Sequence, residues 1–317
     1  MAGIFEDTAD LDELAEALRS ADAGERRVAI LALADSGLPD AVPLLASAAR
    51  DPDSGIRLQA AIALGSFDGA EAADALTKAL TDADPAVTRA AAESLAELKD
   101  PRNADVILPF VAHPSAFVKE AALRALKELR RPEALKPALD AMRDPNAAVR
   151  IQAVGVIGFL KLEESVPALR SAASDSDATV RRAAINALAF SQAPSSSEAI
   201  ARALDDAEWP VRESAAEALG RSRSGVSAKD ALIARLDDEF WQVRLKAIRS
   251  LAALKVRAAA IAIAHGLTHP EPNMRKEAAA ALGELKASEA LAHLERAADD
   301  IDADVRKNVR WALSQLG

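Results

Sequence analysis

The stretch VRESAAEALG, residues 211–220, decides the fold because the rest of the chain repeats its pattern. On a helix, four apolar side chains of this stretch share one side: Val211, Ala215, Ala218 and Leu219. Two glutamates and a glycine fall opposite: Glu213, Glu217 and Gly220. The stretch therefore predicts a short helix that buries one stripe of mostly small apolar residues.

The same template recurs along the whole chain. The place of Val211, which we call the Val position, is taken in turn by Glu25, Ile56, Val87, Val118, Val149, Val180, Val211, Val243, Met274 and Val305. Successive positions are 31 residues apart, except that Val211 and Val243 are 32 apart. A fixed period of this length is the signature of a solenoid of stacked repeats. We therefore expect a single repeat domain over residues 1–317.

Each repeat is predicted to hold two helices, A and then B, with helix B starting near the Val position. A column of Leu and Ile, eleven residues before the Val position, marks helix A. Glycines near the end of helix B, as at Gly65, Gly220 and Gly283, favour left-handed caps. Two links, 191–197 and 221–229, are predicted to be loose loops.

The turn between helices A and B carries a repeating Asp, for example Asp51 and Asp300. A cation follows the Val position in nine of the ten copies, with Thr88 as the exception: Arg26, Arg57, Lys119, Arg150, Arg181, Arg212, Arg244, Arg275 and Arg306. Asp oxygens cap helix N-termini, and Arg binds carboxylates in pairs of hydrogen bonds. We therefore predict a ladder of Asp–Arg pairs between adjacent repeats.

Charge and composition exclude several classes of function. Lys and Arg number 39 against 49 Asp and Glu, a net charge of -10, which disfavours general nucleic-acid binding. There is no Cys, so disulfides and thiolate metal sites are absent. The N-terminal sequence is acidic and lacks the apolar run of a secretory signal, and the apolar stretch 258–264 is too short to span a membrane. We expect a cytoplasmic protein without a membrane partner.

The Asp-rich turn followed by V-R-x-x-A-x-x-A-L-G resembles the HEAT-like repeats typified by the phycobilisome-lyase group. The resemblance covers essentially the whole chain. It implies an all-α fold, a right-handed α-solenoid of ten two-helix repeats whose B helices line the concave side. Proteins with such repeats include scaffolds, bilin lyases, a hydroxylase and DNA glycosylases, so the fold does not decide the function.

No catalytic or metal site is predicted, and no cofactor. His113 and His269 each stand five residues before the Val position, where most repeats carry Asp, so we interpret them as turn residues. The resembling hydroxylase holds iron with His-Glu dipeptides, and no histidine here is followed by Glu. Acidic pairs such as Glu163-Glu164 are interpreted as solvated helix ends.

The second and sixth residues after the Val position point away from the buried stripe and are predicted to form a partner-binding surface. The residues assigned to it are Leu31, Leu58, Ile62, Ile151, Arg182, Leu245, Arg249, Lys276 and Lys307. The first repeats are apolar here and the last are basic. The alternative is that Leu31 and Ile62 are buried by the curvature of the solenoid or by the N-terminal segment around Ile4 and Phe5.

Aromatic residues cluster in two adjacent repeats. Trp209 and Trp241 both stand two residues before the Val position, and Phe240 precedes Trp241. One interpretation is that they cover the turns, and the other is an aromatic ridge that anchors a peptide or a planar ligand. A separate run of cations is predicted to take an acidic partner or to be a solvated helix face: Lys119, Arg124, Lys127, Arg130 and Arg131.

The patterned surface and the lack of a reactive constellation favour a non-catalytic scaffold. It would bind a protein partner that is acidic or presents an apolar helix. The resemblance leaves open a bilin lyase or chaperone subunit as the alternative. A DNA glycosylase is disfavoured by the net charge of -10.

Overall fold

The computed structural model describes residues 11–191, 193–222 and 225–316, and throughout these ranges the chain forms helices and turns without strands. It divides into two compact units, Met1–Leu160 and Lys161–Gly317. Helices A and B alternate within each unit, as predicted. Each unit is described by itself, and the single domain over 1–317 stays a prediction.

Odd-numbered helices are A helices and even-numbered helices are B helices. The first unit contains α1 (Leu11–Ala17), α2 (Ala23–Ser36), α3 (Ala41–Ala48), α4 (Ser54–Leu64), α5 (Ala70–Ala79), α6 (Pro85–Glu97), α7 (Ala104–Ile107), α8 (Ala116–Leu129), α9 (Leu135–Ala141) and α10 (Ala147–Leu160). The second contains α11 (Val166–Ala172), α12 (Ala178–Leu188), α13 (Pro194–Arg202), α14 (Trp209–Arg221), α15 (Lys229–Ala234), α16 (Trp241–Ala253), α17 (Ala260–Ala264), α18 (Pro272–Glu284), α19 (Leu291–Arg296) and α20 (Ala303–Leu316). Short 3-10 turns precede or extend many of the A helices, for example Leu108–Ala112 and His265–Thr268.

Within each unit the helices form two layers. B helices pack against neighbouring B helices, and each also packs against the A helix of its own repeat. The apolar residues at the Val position are at most 2% exposed: Ile56, Val87, Val118, Val149, Val180, Val211, Val243, Met274 and Val305. Glu25 is the exception and is exposed. The stripe predicted from the template is therefore the core between the layers.

The Asp-rich turns start the B helices, as predicted. Asp53 accepts hydrogen bonds from the backbone N–H groups of Gly55 and Ile56, and Asp84 accepts one from Ala86. These bonds satisfy N–H groups that have no partner inside the helix. Because the caps stand three residues before the Val position, each B helix begins two residues earlier than that position.

The prediction of left-handed caps at Gly65, Gly220 and Gly283 was wrong. Gly65 has a right-handed helical φ of -65°, and Gly220 and Gly283 lie inside α14 and α18. A Cβ on Gly220 would lie 2.9 Å from the Cα of Ser250, and one on Gly283 would lie 2.9 Å from the Cα of Ala312. These glycines are needed because the next B helix approaches their backbone closely, and sequence cannot separate this use of glycine from a cap.

The two links predicted to be loose are partly helical. Pro194 begins α13, where a proline without an N–H fits the first turn, and Ser197 is buried with its hydroxyl 2.7 Å from that of Ser222. In the second link, Gly225–Ala228 form a 3-10 turn. Gln192, Arg223 and Ser224 lie outside the described residues.

The Asp–Arg ladder is confirmed within each unit. In the first, Arg26 binds Asp51, Arg57 binds Asp82 and Lys119 binds Asp144; in the second, Arg181 binds Asp206, Arg212 binds Asp238 and Arg275 binds Asp300. The residues of each pair are 25 apart, and 26 apart for Arg212 and Asp238, where the repeat has its extra residue. Each arginine pair is bidentate, which fixes both distance and angle between neighbouring repeats.

Each ladder arginine also binds its own turn. Arg57 donates from Nη1 to the carbonyl oxygens of Asp51 and Pro52, at 2.9 and 3.1 Å. The hydrogen bonds from Arg57 hold the pKa of Asp82 below its ordinary value, and those from Arg275 do the same for Asp300. Since both folded-state pKa values are lowered, this stabilisation is complete above the ordinary aspartate pKa and is lost as the pH falls through the folded-state value.

Histidine replaces Asp in one rung of the second unit. Nδ1 of His269 accepts a hydrogen bond from the N–H of Glu271, as the Asp carboxylates do, and Nε2 lies 2.6 Å from Nη2 of Arg244. Both ring nitrogens thus face donors, although a neutral imidazole has one free lone pair. Burial and the charge of Arg244 lower the pKa of His269. A carboxylate would accept from both donors, so the rung with His269 is weaker than a rung with Asp.

We expect Gly220→Ala to destabilise the protein by about 1–3 kcal/mol, because its methyl group would overlap Ser250 on the neighbouring helix. Thermal and urea unfolding measure the change. Gly155→Ala is the matched control, since a Cβ there meets Cδ of Lys127 at an ordinary 3.5 Å. It should be neutral or stabilising, as alanine favours helix more than glycine does. Equal effects of both substitutions would contradict the close-approach role.

We expect His269→Asp to stabilise the protein by about 1 kcal/mol, because the carboxylate accepts from both Arg244 and the Glu271 N–H. The stability difference should widen as the pH falls from about 7.5 to about 5, since protonation of His269 favours the unfolded state while Asp stays ionised.

His113→Asp is the control for this prediction. Its Nδ1 likewise accepts from the backbone N–H of Ser115, but Thr88 stands where other repeats carry the ladder cation. The new carboxylate would gain no arginine, so little stabilisation is expected. Equal gains for the two substitutions, measured by urea unfolding, would show that Arg244 is not the cause.

Candidate partner-binding surface

The apolar part of the predicted surface lies in the first unit, on α2 and α4. Leu31 and Ile62 are each 51% exposed, and Leu58 beside them is half-buried. Large apolar side chains exposed together are uncommon on proteins that bind nothing there. We call Val28, Leu31, Leu58 and Ile62 the apolar patch. Ile4 and Phe5, the alternative cover for it, lie outside the described residues.

Val28 belongs to this patch but was missed by the sequence prediction. It is 66% exposed and stands three residues after the Val position. In other repeats this column reaches the preceding repeat: Lys246 binds Glu217, and Asn308 donates to the carbonyl oxygen of Lys276. If the third residue after each Val position had been considered together with the second and the sixth, the sequence would have identified Val28.

The remaining predicted residues differ in exposure. Ile151 in the first unit and Leu245 and Lys276 in the second are half-buried, while Arg182 and Lys307 are exposed. Ile151, Leu245 and Lys276 are therefore partly covered by their neighbours, whereas Arg182 and Lys307 extend further into solvent. The structure places all of these side chains on B helices.

Two of the basic positions are neutralised by neighbours. Arg249 binds Glu277 at 2.8 Å, and Lys246 binds Glu217 at 2.8 Å. The hydrogen bond from Lys246 lowers the pKa of Glu217, and the bond to Glu277 raises the pKa of Arg249. Both pairs join the sixth residue after one Val position to the third residue after the next. This spacing is a sequence signal that the column-by-column prediction did not use.

The aromatic residues in the second unit bind one another. The rings of Trp209 and Phe240 stack with centroids 5.3 Å apart, and the guanidinium of Arg212 lies 5.7 Å from the centre of the Phe240 ring. Arg212 is itself buried and bound to Asp238. These contacts join the turns of two neighbouring repeats and favour the turn-cover interpretation. Trp241 is half-buried, and the aromatic ridge for a ligand stays a prediction.

The run of cations around α8 does not form one patch. Lys119 belongs to the ladder, Arg131 binds Glu133, and Arg124 donates to the carbonyl oxygen of Ala92. Lys127 and Arg130 lie over the ring of Phe159, at 5.2 and 5.4 Å from its centre. Most of this charge is therefore engaged within the first unit.

Two clefts repeat at the same register and follow from the architecture. One, of about 500 Å³, lies beside Lys119 and Asp144, and the other, of about 450 Å³, lies beside Arg275 and Asp300. Both open between successive A helices at a rung of the ladder.

Among the described residues there is no group of three or more His, Asp or Glu side chains arranged to hold a metal ion. Every helix within the described ranges is too short or too polar to span a lipid bilayer.

Comparison with known proteins identifies the repeat. The model of HEAT repeats matches residues 11–95, 74–144, 135–220 and 230–314, and the model of the PBS lyase HEAT-like repeat matches residues 211–238. Among curated proteins, none matches the chain with significance.

Solved structures share the fold at low sequence identity. An engineered protein is 20% identical with a TM-score of 0.52 and covers 97% of this chain and 98% of its own. YibA of Escherichia coli is 18% identical with a TM-score of 0.63, covering 84% of this chain and 98% of its own. A chain from the structure of Kap95p with RanGDP is 13% identical with a TM-score of 0.65, covering 96% of this chain and 50% of that one. The chain is an α-solenoid and belongs to the family of HEAT-repeat proteins.

Proposed function

We propose that this protein is a non-catalytic scaffold that binds a protein partner on the face of its B helices turned away from the A helices. The observation that carries the proposal is the apolar patch of Val28, Leu31, Leu58 and Ile62, whose members include three of the most exposed large apolar residues on the B helices. Burying such side chains against a partner contributes about 25 cal/mol for each Å² removed from water.

The family supports this proposal. HEAT-repeat solenoids present rows of helices to macromolecules, and the structure of Kap95p with RanGDP is described as one protein binding another. For this chain, the apolar patch fits a partner helix with an apolar stripe at spacings of three and four residues. Polar groups at its rim, among them Arg27 and Arg89, would set the orientation of that helix.

The proposed surface differs in chemistry between the two units, so each unit suits a different part of the partner. Arg249 and Lys246 have acidic neighbours, so the basic character expected of the second unit rests on Arg182, Lys276 and Lys307. An acidic partner segment suits these residues. We therefore propose the apolar patch as the main anchor and the remaining cations as secondary contacts.

We expect the double substitution Leu31→Asp with Ile62→Asp to abolish capture of the partner, because two charges would have to be buried in the interface. Immobilised full-length protein is incubated with lysate, and the retained proteins are identified by mass spectrometry. Thermal unfolding should change little, since both side chains are exposed in the free protein.

Ile261→Asp is the matched control. Ile261 is 45% exposed but lies on α17, in the layer of A helices. It should retain the partner that the double variant loses. The proposal would be contradicted if the double variant retained the same proteins as the wild type. It would also be contradicted if Ile261→Asp lost the partner to the same extent as the double variant.

A further inference from the structure

The third repeat, α5 and α6, meets the fourth, α7 and α8, without a charged rung. Thr88 stands where the other repeats carry the ladder cation, and His113 stands where most carry the Asp. The hydroxyl of Thr88 donates to the carbonyl oxygen of Pro85, and Nδ1 of His113 accepts from the backbone N–H of Ser115. Within residues 11–191, 193–222 and 225–316, no hydrogen bond or ion pair joins the two turns that hold Thr88 and His113. We call the side of a joint on which these turns lie the turn edge.

The three other joints inside the first unit are tied at the turn edge. Arg26 and Arg57 each bind an Asp of the next repeat, and Lys119 binds Asp144. A bidentate pair forms at one distance and angle, so it resists rotation of one repeat against the next. Apolar packing between helices admits a range of angles. In the described part of the first unit, the joint between the third and fourth repeats is the one without this restraint.

The opposite edge of the same joint is tied by a carboxylate. Oδ1 of Asp68, in the link before α5, accepts from the backbone N–H groups of Lys99 and Asp100 at 2.7 and 3.1 Å, and from Nδ2 of Asn103 at 3.1 Å. Asn103 is fully buried, so the core holds this end of the contact in place. Because residues 99–103 lead into α7, Asp68 joins the start of the third repeat to the start of the fourth. We call this contact the Asp68 clasp.

The Asp68 clasp belongs to this joint alone in the sequence pattern. Asp68 stands twelve residues after the Val position, where every other copy has Gly, Gln, Lys or Arg. A charged acceptor with three donors makes stronger hydrogen bonds than a neutral one. The joint that lacks a rung at the turn edge is therefore also the joint that has a carboxylate tie at the other edge.

The B helices of the joint stay in contact between the two edges. Nη2 of Arg124 donates to the carbonyl oxygen of Ala92 at 3.0 Å, in the second half of α8 and α6. Near the turn edge, Val87 and Val118 are buried in the apolar core. A small rotation changes such apolar contacts gradually, whereas it would break a bidentate pair.

We propose that this joint is a hinge, which pivots at the Asp68 clasp and opens at the edge of Thr88 and His113. Two packed bodies that are held at one edge and free at the other rotate about the held edge. The rotation moves the repeats that carry the apolar patch relative to the fourth and fifth repeats of the same unit. The hinge does not depend on the proposed function, since it follows from contacts of the protein without a partner. The alternative is that apolar packing fixes this joint as firmly as a rung would.

Pairs of spin labels on the full-length protein test the hinge, and the chain has no Cys that would compete with introduced ones. Ser47→Cys with Asp140→Cys places labels near the ends of α3 and α9, at the turn edge. Asp40→Cys with Lys136→Cys places labels at the starts of the same helices, at the edge of the clasp. All four positions are exposed. Double electron–electron resonance should show a broader distance distribution at the turn edge than at the clasp edge.

Thr88→Arg with His113→Asp installs the missing rung. It should narrow the distribution at the turn edge to about the width at the clasp edge, and leave the clasp edge unchanged. Arg57→Thr with Asp82→His is the matched control, since it gives the neighbouring joint the same two residues that this joint has. It should broaden the distribution at the turn edge.

Thermal unfolding reports whether the installed rung forms. The rise in Tm for Thr88→Arg with His113→Asp should exceed the sum of the shifts of the two single variants. Additive shifts would overturn the proposal, because the two positions would then not face each other as the residues of a rung do. Equal widths at the two edges of the wild type would also overturn it. So would an unchanged turn-edge distribution after the rung is installed, or after the neighbouring rung is removed.

Discussion

A pair of helices this short cannot bury its apolar stripe alone, and this constraint governs both units. The stripe consists largely of Ala, Val and Leu, and it is hidden where a B helix meets its A helix and the neighbouring repeat. Short helices have little stability of their own, so packing between repeats supplies most of it. The small side chains allow the close spacing that makes this packing dense, and Gly220 and Gly283 mark where the backbones come closest.

The Asp–Arg ladder fixes the register of this packing. Apolar stripes of similar residues fit together in more than one register, whereas a bidentate arginine pair forms at a single one. Of the six rungs described above, the one between Arg212 and Asp238 is the most buried, with side chains 8% and 2% exposed. Pairs buried this deeply contribute little net stability, because desolvation offsets attraction, but removing one partner is costly. We interpret the ladder chiefly as a device that fixes how successive repeats meet.

The sequence predicted these features well because they recur. The Val position, the helix order and the Asp–Arg pairs each follow from residues that recur at a nearly constant period, so most of the ten copies supported each inference. Features that depend on one neighbour were harder. Gly65 was assigned a left-handed cap because sequence shows the residue and not the helix that approaches it. Arg249 was expected to be available to a partner because Glu277, which pairs with it, comes from the next repeat. Val28 was missed for a similar reason. The third residue after the Val position contacts the preceding repeat in other copies, and the sequence alone does not show these contacts.

The rung from Arg212 to Asp238 also shows what the links can absorb. It spans one residue more than the other rungs, yet its bidentate distances are the same, so the extra residue in 221–229 leaves the pairing unchanged. Length in that link is therefore decoupled from the register of the helices on either side. Repeats joined by such rungs can therefore differ by one residue in the length of a link while the pairing between them stays the same.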